Sequence, residues 1–451
     1  MHTSATTKIT SGPIGRTVLS LAVPVVLGMF MEIALSVVNF FWVGKLGPSA
    51  QDAVTSSMVI TWTVFCGFTM INIGLTAIVS RHVGAKEPEQ AAFHARQGLL
   101  MALALGLVFT VLGFILAPVI LRFMHTSDTT LVHALPYLRI FFLTAVFFAL
   151  YDTSASIFRA SGDTKTPTVV GASLIAFQMI LDPLLIFGIG PFPKLGVAGA
   201  AVATLVAISL AALVLLWFLM KGKLGYAIGT PFRTRPDLSA MRKIARIGLP
   251  ITIQQLTFTA VYWFLINIVH HYGESAGAAM GIGNRMESIS YLTCYGFSVA
   301  ASTMVGQNLG AGNADRAARC AWSSAGLAVA FTFVISILFL TIPHFIARIF
   351  TSDPEVMAIA VDYLRILGLS QFTMAIEIVL EGSFSGAGDT VSPMVVMIPG
   401  AIARVPLAYY LCFGLDWGIN GVWWTLTITT TVKAAALALW FKRGRWQAKK
   451  L

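Results

Sequence analysis

Apolar runs of about 20 residues or more alternate with short polar breaks along this chain, the length an α-helix needs to cross ~30 Å of hydrocarbon. The runs fall at 18–43, 53–79, 98–121, 134–158, 168–190, 196–220, 249–271, 276–304, 321–347, 358–383, 392–413 and 418–441. This pattern predicts an all-α integral membrane fold of twelve transmembrane helices. The first run is too long for a signal-peptide core, and no A-x-A cleavage site follows it. An even number of spans places both termini on one side.

The basic residues outside the runs choose that side. The N-terminus, the even-numbered loops and the C-terminus carry 21 Lys and Arg, whereas the odd-numbered loops carry four, Lys45, Arg122, Lys194 and Arg348. Basic residues collect on the cytoplasmic face, so both termini are expected there, in a cell inner membrane. The longest polar stretch, 221–246, contains Arg233, Arg235, Arg242, Lys243 and Arg246 and divides the runs six and six. An amphipathic surface helix is expected near 237–247, its charges meeting lipid head groups.

Composition agrees. Of 451 residues 57% are hydrophobic and 11% charged, against roughly 25% charged in an ordinary soluble protein. The mean hydropathy is +0.81. A cytosolic enzyme, a secreted disulfide scaffold and a disordered regulator are excluded. The net charge of +11 follows from the cytoplasmic bias and does not call for nucleic acid. Cys66, Cys294, Cys320 and Cys412 show no C-x-x-C spacing and read as small buried side chains. The histidines form no H-E-x-x-H motif.

The two halves repeat at a fixed offset. Adding 226 carries Pro24 to Pro250, Gly47 to Gly273, Gly84-Ala85 to Gly310-Ala311, Tyr137-Leu138-Arg139-Ile140 to Tyr363-Leu364-Arg365-Ile366, Gly162-Asp163-Thr164 to Gly388-Asp389-Thr390 and Pro167 to Pro393. Backbone geometry places glycines and prolines, so shared hydrophobicity alone does not keep them in register. Two pseudo-symmetric six-helix bundles follow: an N-terminal lobe over 1–220, a cytoplasmic linker over 221–248 and a C-terminal lobe over 249–451. Six spans per unit make the repeats parallel, a plan that transporters use to place a midplane site between halves that rock in turn.

Ionisable groups inside spans cost at least ~2.5–3.5 kcal/mol each and mark function by default. Glu32 lies fourteen residues into the first run and seven before Asn39, on nearly the same helical face and ~10 Å along the axis. Asp182 lies at a similar depth in the fifth run, and Asp152 nearer the cytoplasmic end of the fourth. With no basic residue deep in these spans, the three acids are not expected to be ionised together, so one binds a proton reversibly. Alternatively, Glu32 and Asp182 with Asn39 and the Thr204 hydroxyl supply hard oxygen ligands for Na⁺. A structural polar network around Asp182 is the bland alternative.

The second-lobe candidates are Glu287, Glu377 and Glu381. Arg285 and Glu287 point to different faces, and Glu287 is expected to pair with another helix through Arg404 or Lys433. Glu377 and Glu381 stand at i, i+4, where like charges repel. Phe258, Tyr262, Tyr291 and Tyr295 form a candidate aromatic wall for a cationic ligand, with ordinary packing as the alternative. Pro24 is placed to bend the first helix. The G-Q-N-L-G-A-G stretch at 306–312 lacks G-K-[ST] and reads as a helix end and turn.

Several segments resemble the multidrug and toxic compound extrusion (MATE) transporters. They are LAVPVVLGMFMEIALSVVNFFWVGKLG (21–47), RASGDTKTP (159–167) with its copy SGAGDTVSP (385–393), and GIGNRMESISYLTCYGFSVAASTMVGQNLGAGNADRA (281–317). LDPLLIFG (181–188) is similar to the fifth helix of the DinF-like branch. The resemblance implies a cation-coupled antiporter that expels organic, often cationic, compounds through an outward-opening cleft between two six-helix lobes. Two positions depart from it. Asn39 stands where the DinF-like branch carries an Asp, and Phe258 where another branch carries a Glu.

The expected function is a secondary antiporter, not an enzyme, that exports small cationic amphipathic compounds in exchange for H⁺ or Na⁺. It would need no cofactor, no nucleotide and no nucleic acid, and would work as a monomer in the lipid bilayer. A flippase for lipid-linked saccharides is the related alternative, although the deep basic residues Arg285, Arg404 and Lys433 all fall in one lobe. A channel or receptor lacks a selectivity-filter motif here, and the acids lack an enzyme's partner nucleophile or metal motif.

Overall fold

The computed structural model describes residues 8–123, 128–229 and 234–449. Arg233 of the basic stretch lies outside them. The described residues are helical almost throughout: α1 (Ile14–Gly44), α2 (Pro48–Gly84), α3 (Pro88–Phe123), α4 (Asp128–Ala160), α5 (Lys165–Phe187), α6 (Val197–Met220), α7 (Leu238–His271), α8 (Glu274–Gly310), α9 (Ala314–Thr341), α10 (Pro343–Arg348), α11 (Pro354–Gly368), α12 (Gln371–Ala387), α13 (Val391–Ile402), α14 (Arg404–Tyr409) and, after a π-helical turn at Tyr410–Gly414, α15 (Asn420–Lys442).

Nine of the described helical segments are long and apolar enough to cross a membrane, and α11 with α12, bent by 55° at their break, make a tenth. The chain is therefore an all-α, multi-pass membrane protein. The expected runs 53–79 and 276–304 lie on α2 and α8, which are not among the ten. For α8 the reason is visible. Its buried positions are small or polar, including Ser290, Thr293, Ser298, Ser302 and Thr303, because it packs against α9, α11 and α12. On α3, by contrast, Leu107, Val108, Val111, Leu112, Ile115, Leu116 and Val119 are exposed, an apolar surface that lipid covers at no cost.

The repeat is written into the backbone. Helices α2, α3, α4 and α5 begin at 48, 88, 128 and 165, and α8, α9, α11 and α13 begin at 274, 314, 354 and 391, each 226 residues later. Gly47 (φ +107°) and Gly273 (φ +94°) are matching positions where a side chain would be strained. After α2, Glu87 donates through its backbone N–H to the carbonyl of His82, and after α8 Asn313 does the same to Asn308. Thr166 donates its hydroxyl to Asp163 at 2.6 Å, and Ser392 donates to Asp389 at 2.6 Å.

Two compact units emerge. The first contains residues 24–248, the second 8–23 and 249–451. The segment expected as a linker thus belongs to the first unit, and residues 8–23 to the second. The helix expected near 237–247 is present as the opening turns of α7, residues 238–248, continuous with the span that follows. They are held by close backbone approach, since a Cβ at Gly248 would sit 1.7 Å from the Met70 carbonyl oxygen of α2. The lead-in segments are pinned at matching carbonyls. Gln97 donates to Arg235 O at 3.0 Å in the first unit, and Asn308 and Arg316 donate to Ile9 O, each at 3.4 Å, in the second. Pro24 lies inside α1, an uninterrupted helix. All four cysteines are buried and free.

Candidate functional site

In the first unit the polar residues of α1, α5 and α6 meet. Asn39 Nδ2 of α1 donates to Asp182 Oδ2 of α5 at 3.3 Å. Asp182 is fully buried, and its Oδ1 has no hydrogen-bond partner among the described residues. One turn earlier on α5, Gln178 Nε2 donates to Thr204 Oγ1 of α6 at 2.8 Å, and that hydroxyl donates to the Ala200 carbonyl at 3.0 Å. The structure therefore joins Asn39 to Asp182 but gives Thr204 to Gln178. Tyr137 of α4 stands within electrostatic reach of Asp182. A buried carboxylate with an open oxygen and no ion-pair partner is costly unless something binds it.

Glu32 is exposed on α1 and makes no hydrogen bond or ion pair among the described residues. It lies within electrostatic reach of Asp152 and Arg159. Among the described residues no hydrogen bond or ion pair joins it to Asp182 or to Asn39. Among the described residues no cluster of three or more His, Cys, Asp or Glu is arranged to hold a metal.

Asp152 corrects the expectation that no basic residue serves these acids. Arg159 Nη2 donates to Asp152 Oδ1 at 3.0 Å and to Ser156 Oγ at 2.9 Å, while Asn72 of α2 donates to Oδ2. Thr153 donates to Asn72 Oδ1 at 3.1 Å, closing the network. Arg159 lies just past the end of the expected run, but seven residues are two turns, and its long side chain reaches back along α4.

The second unit gathers charge on α8, α12, α14 and α15, with polar and aromatic partners from α7. Lys433 Nζ donates to Glu377 Oε1 at 2.6 Å in a pair that is almost wholly buried, with Glu377 Oε2 left unpartnered. Glu381 accepts from Gln254 Nε2 at 2.8 Å. The i, i+4 acids expected to repel are thus each given a different donor from another helix. Glu287, expected to pair with Arg404 or Lys433, forms an ion pair with neither among the described residues. It lies near Tyr363, Tyr262 and Arg404 instead. Arg404, 5% exposed, donates through Nε to Thr429 at 3.0 Å and through Nη2 to Thr430 at 3.2 Å.

The aromatic candidates fall in two pairs, one on α7 and one on α8. Phe258 and Tyr262 stack at 6.2 Å, and Phe258 covers the Arg404 guanidinium at 5.3 Å. Tyr262 accepts from Asn284, whose Oδ1 accepts from Tyr363 at 3.2 Å. Tyr291 and Tyr295 are exposed on α8, within reach of each other. Gln178, Gln254 and Asn284 were not marked from the sequence, and Tyr137 and Tyr363 were marked only as repeat positions. Polar residues inside apolar runs, one turn from a marked acid, were the available signal for Gln178.

The MatE family profile matches the chain twice, over residues 24–184 and 250–410, windows whose starts lie 226 residues apart. The probable multidrug resistance protein NorM of Thermotoga maritima is 26% identical over 97% of this chain and 94% of its own length. The probable multidrug resistance protein YpnP of Bacillus subtilis is 26% identical over 98% of each. A solved MOP superfamily transporter from Pyrococcus furiosus has the same fold, with a TM-score of 0.90 at 21% identity over 98% of both chains. The duplicated helices, their 226-residue register and the matched windows agree that the chain belongs to the MATE family of secondary transporters.

Proposed function

We propose that this chain is an antiporter that exports small cationic amphipathic compounds in exchange for H⁺ or Na⁺. Its units are read as six-helix lobes, twelve spans in all, that rock to give alternating access, with both termini cytoplasmic and the protein a monomer in the inner membrane. The observation that carries the reading is Asp182: a buried carboxyl group inside an apolar helix with one oxygen open and no ion pair among the described residues. Asn39 orients it, and Gln178 and Thr204 line the neighbouring turn. An incoming H⁺ or Na⁺ neutralises the group, and cation-free and cation-bound forms then favour different states of the transporter. Glu32, unpaired and two turns from Asn39, supplies the second carboxyl group. Asp152, already satisfied by Arg159 and Asn72, is left to structure.

The test is dye export in proteoliposomes, driven in turn by a pH gradient without Na⁺ and by a Na⁺ gradient at fixed pH. Glu32→Gln with Asp182→Asn should abolish gradient-driven export while the protein still inserts and elutes as a folded species. Wild-type export from that double variant would end the proposal.

A further inference from the structure

The 226-residue offset relates side chains as well as backbone. It carries Gln178 to Arg404, Thr204 to Thr430 and Tyr137 to Tyr363. The hydrogen bond is carried with them: Gln178 Nε2 to Thr204 Oγ1 at 2.8 Å becomes Arg404 Nη2 to Thr430 Oγ1 at 3.2 Å. The acid is not carried. Asp182 becomes Ala408, and Glu32 becomes Phe258. The same corner of the duplicated fold thus bears a carboxyl group in the first unit and a guanidinium in the second.

We propose that this corner of the second unit is a binding site for an acidic group, carboxylate or phosphate, borne by the exported cargo, with Arg404 as its anchor. Arg404 is buried, and among the described residues it forms no ion pair. Nε and Nη2 rest on two neutral threonine hydroxyls, the Phe258 ring covers the group at 5.3 Å, and among the described residues Nη1 makes no hydrogen bond. Neutral oxygens orient a guanidinium without neutralising it, and the open donor edge matches the two oxygens of an acid. Lys433 shows the other solution, since Glu377 holds it at 2.6 Å. The groups that face Arg404 are Glu287, Glu377, Tyr262, Tyr363 and Lys433. Of these Glu377 is engaged by Lys433, so Glu287 is the charge an arriving acid competes with. The inference deepens the transport reading and rests on it: the preferred cargo carries an acid beside its cation.

A rhodamine with a free carboxylate and its methyl ester form the probe pair, equal in cation and skeleton. Arg404→Gln should lower kcat/KM for the free acid about tenfold or more, the worth of a charge-assisted hydrogen bond, while changing the ester less than about threefold. Glu287→Gln should lower KM for the free acid and leave the ester unaltered, a shift of opposite sign. Thr430→Val, which only frees the guanidinium, should give the same discrimination in weaker form and serves if Arg404→Gln does not fold. Equal loss of both dyes, or of neither, overturns the site. So does a wild type that moves the ester and ignores the acid, which leaves the transport reading standing. If the wild type moves neither dye, the transport reading fails, and fluorescence-polarisation binding of acid against ester to the purified protein still decides the site. Discrimination that vanishes in anionic lipid but holds in zwitterionic phosphatidylcholine assigns the corner to an anionic lipid head group and overturns the cargo site.

Discussion

In the first unit Gln178 donates to Thr204 and leaves Asp182, one turn further along α5, with an open oxygen. In the second, Arg404 donates to Thr430, and the residue one turn on is Ala408. Around them the balance also differs. In the first unit the pair of Asp152 with Arg159 is partly exposed, whereas in the second Lys433 and Glu377 are almost wholly buried. Duplication copied the helix starts and the turn hydrogen bonds, and selection was then free to change the charge on each copy. On the proposed reading one copy takes up a small cation while the other presents a fixed positive group, so that a duplicated scaffold would bind unlike partners.

The buried pair is the place to break this contrast most severely. Lys433→Met would strand Glu377, whose side chain is almost wholly enclosed, and removing one partner of a buried pair costs about 3–5 kcal/mol. Thermal unfolding in detergent should show a large fall in Tm. Glu377→Gln with Lys433→Met should recover most of it, because the desolvation cost leaves with both charges. A double variant no better than the single one would show that the pair shapes the helices rather than cancelling charge.

Packing separates the units next. A Cβ at Gly386 would lie 2.1 Å from the Ser302 carbonyl oxygen, and one at Gly382 would lie 2.1 Å from Ser298 Oγ. The matching residues of the first unit are Ala160 and Ser156, so α4 and α2 have room where α12 and α8 have none. Gly386→Ala should cost about 1–3 kcal/mol by overpacking. Ala160→Gly should cost about 0.5–1 kcal/mol from helix propensity alone. Equal Tm losses would mean that the two interfaces are not packed differently.

Asp152→Asn sharpens the site assignment. Its ion pair with Arg159 is about a quarter to a third exposed, so solvent screens it and the loss should be about 1 kcal/mol or less. Dye export should keep its dependence on the ion gradient, where Asp182→Asn should lose it. Loss of coupling in the Asp152 variant would move the site from α5 to α4.

The spans and the repeat were legible because hydropathy and glycine placement are local properties. The offset located the duplicated turns to the residue. Ion pairing was not legible in the same way. Lys433 and Glu377 are 56 residues apart on different helices, and nothing local chooses Glu377 over Glu287. Arg159 was counted with the loop because a hydropathy window ends where the backbone becomes polar, whereas its side chain returns into the span. The run on α8 is less apolar than the other spans, and its buried positions are small or polar because neighbouring helices, not lipid, cover them. Gln178 was the one missed residue that the sequence could have yielded, since the offset already pairs it with Arg404.

The smallest difference between the copies tests how faithfully the backbone was duplicated. Lys86 has φ +61° in the turn after α2, and its counterpart after α8 is Gly312, with φ +76°. The flanking hydrogen bonds match, from the residue-86 N–H to Val83 O at 3.2 Å and from the residue-312 N–H to Leu309 O at 3.1 Å. A left-handed conformation costs a side-chain residue about 1–2 kcal/mol. Glycine returns about 0.4–1 kcal/mol of that by its greater freedom in the unfolded chain. Lys86→Gly should therefore stabilise by about 0.5–1 kcal/mol, and Gly312→Lys should destabilise by about the same amount. If the two Tm shifts are equal and opposite, the turns are energetically one structure. If Lys86→Gly lowers Tm, the lysine side chain contributes more where it stands than the strain it imposes, and the first turn has diverged in function as well as in sequence.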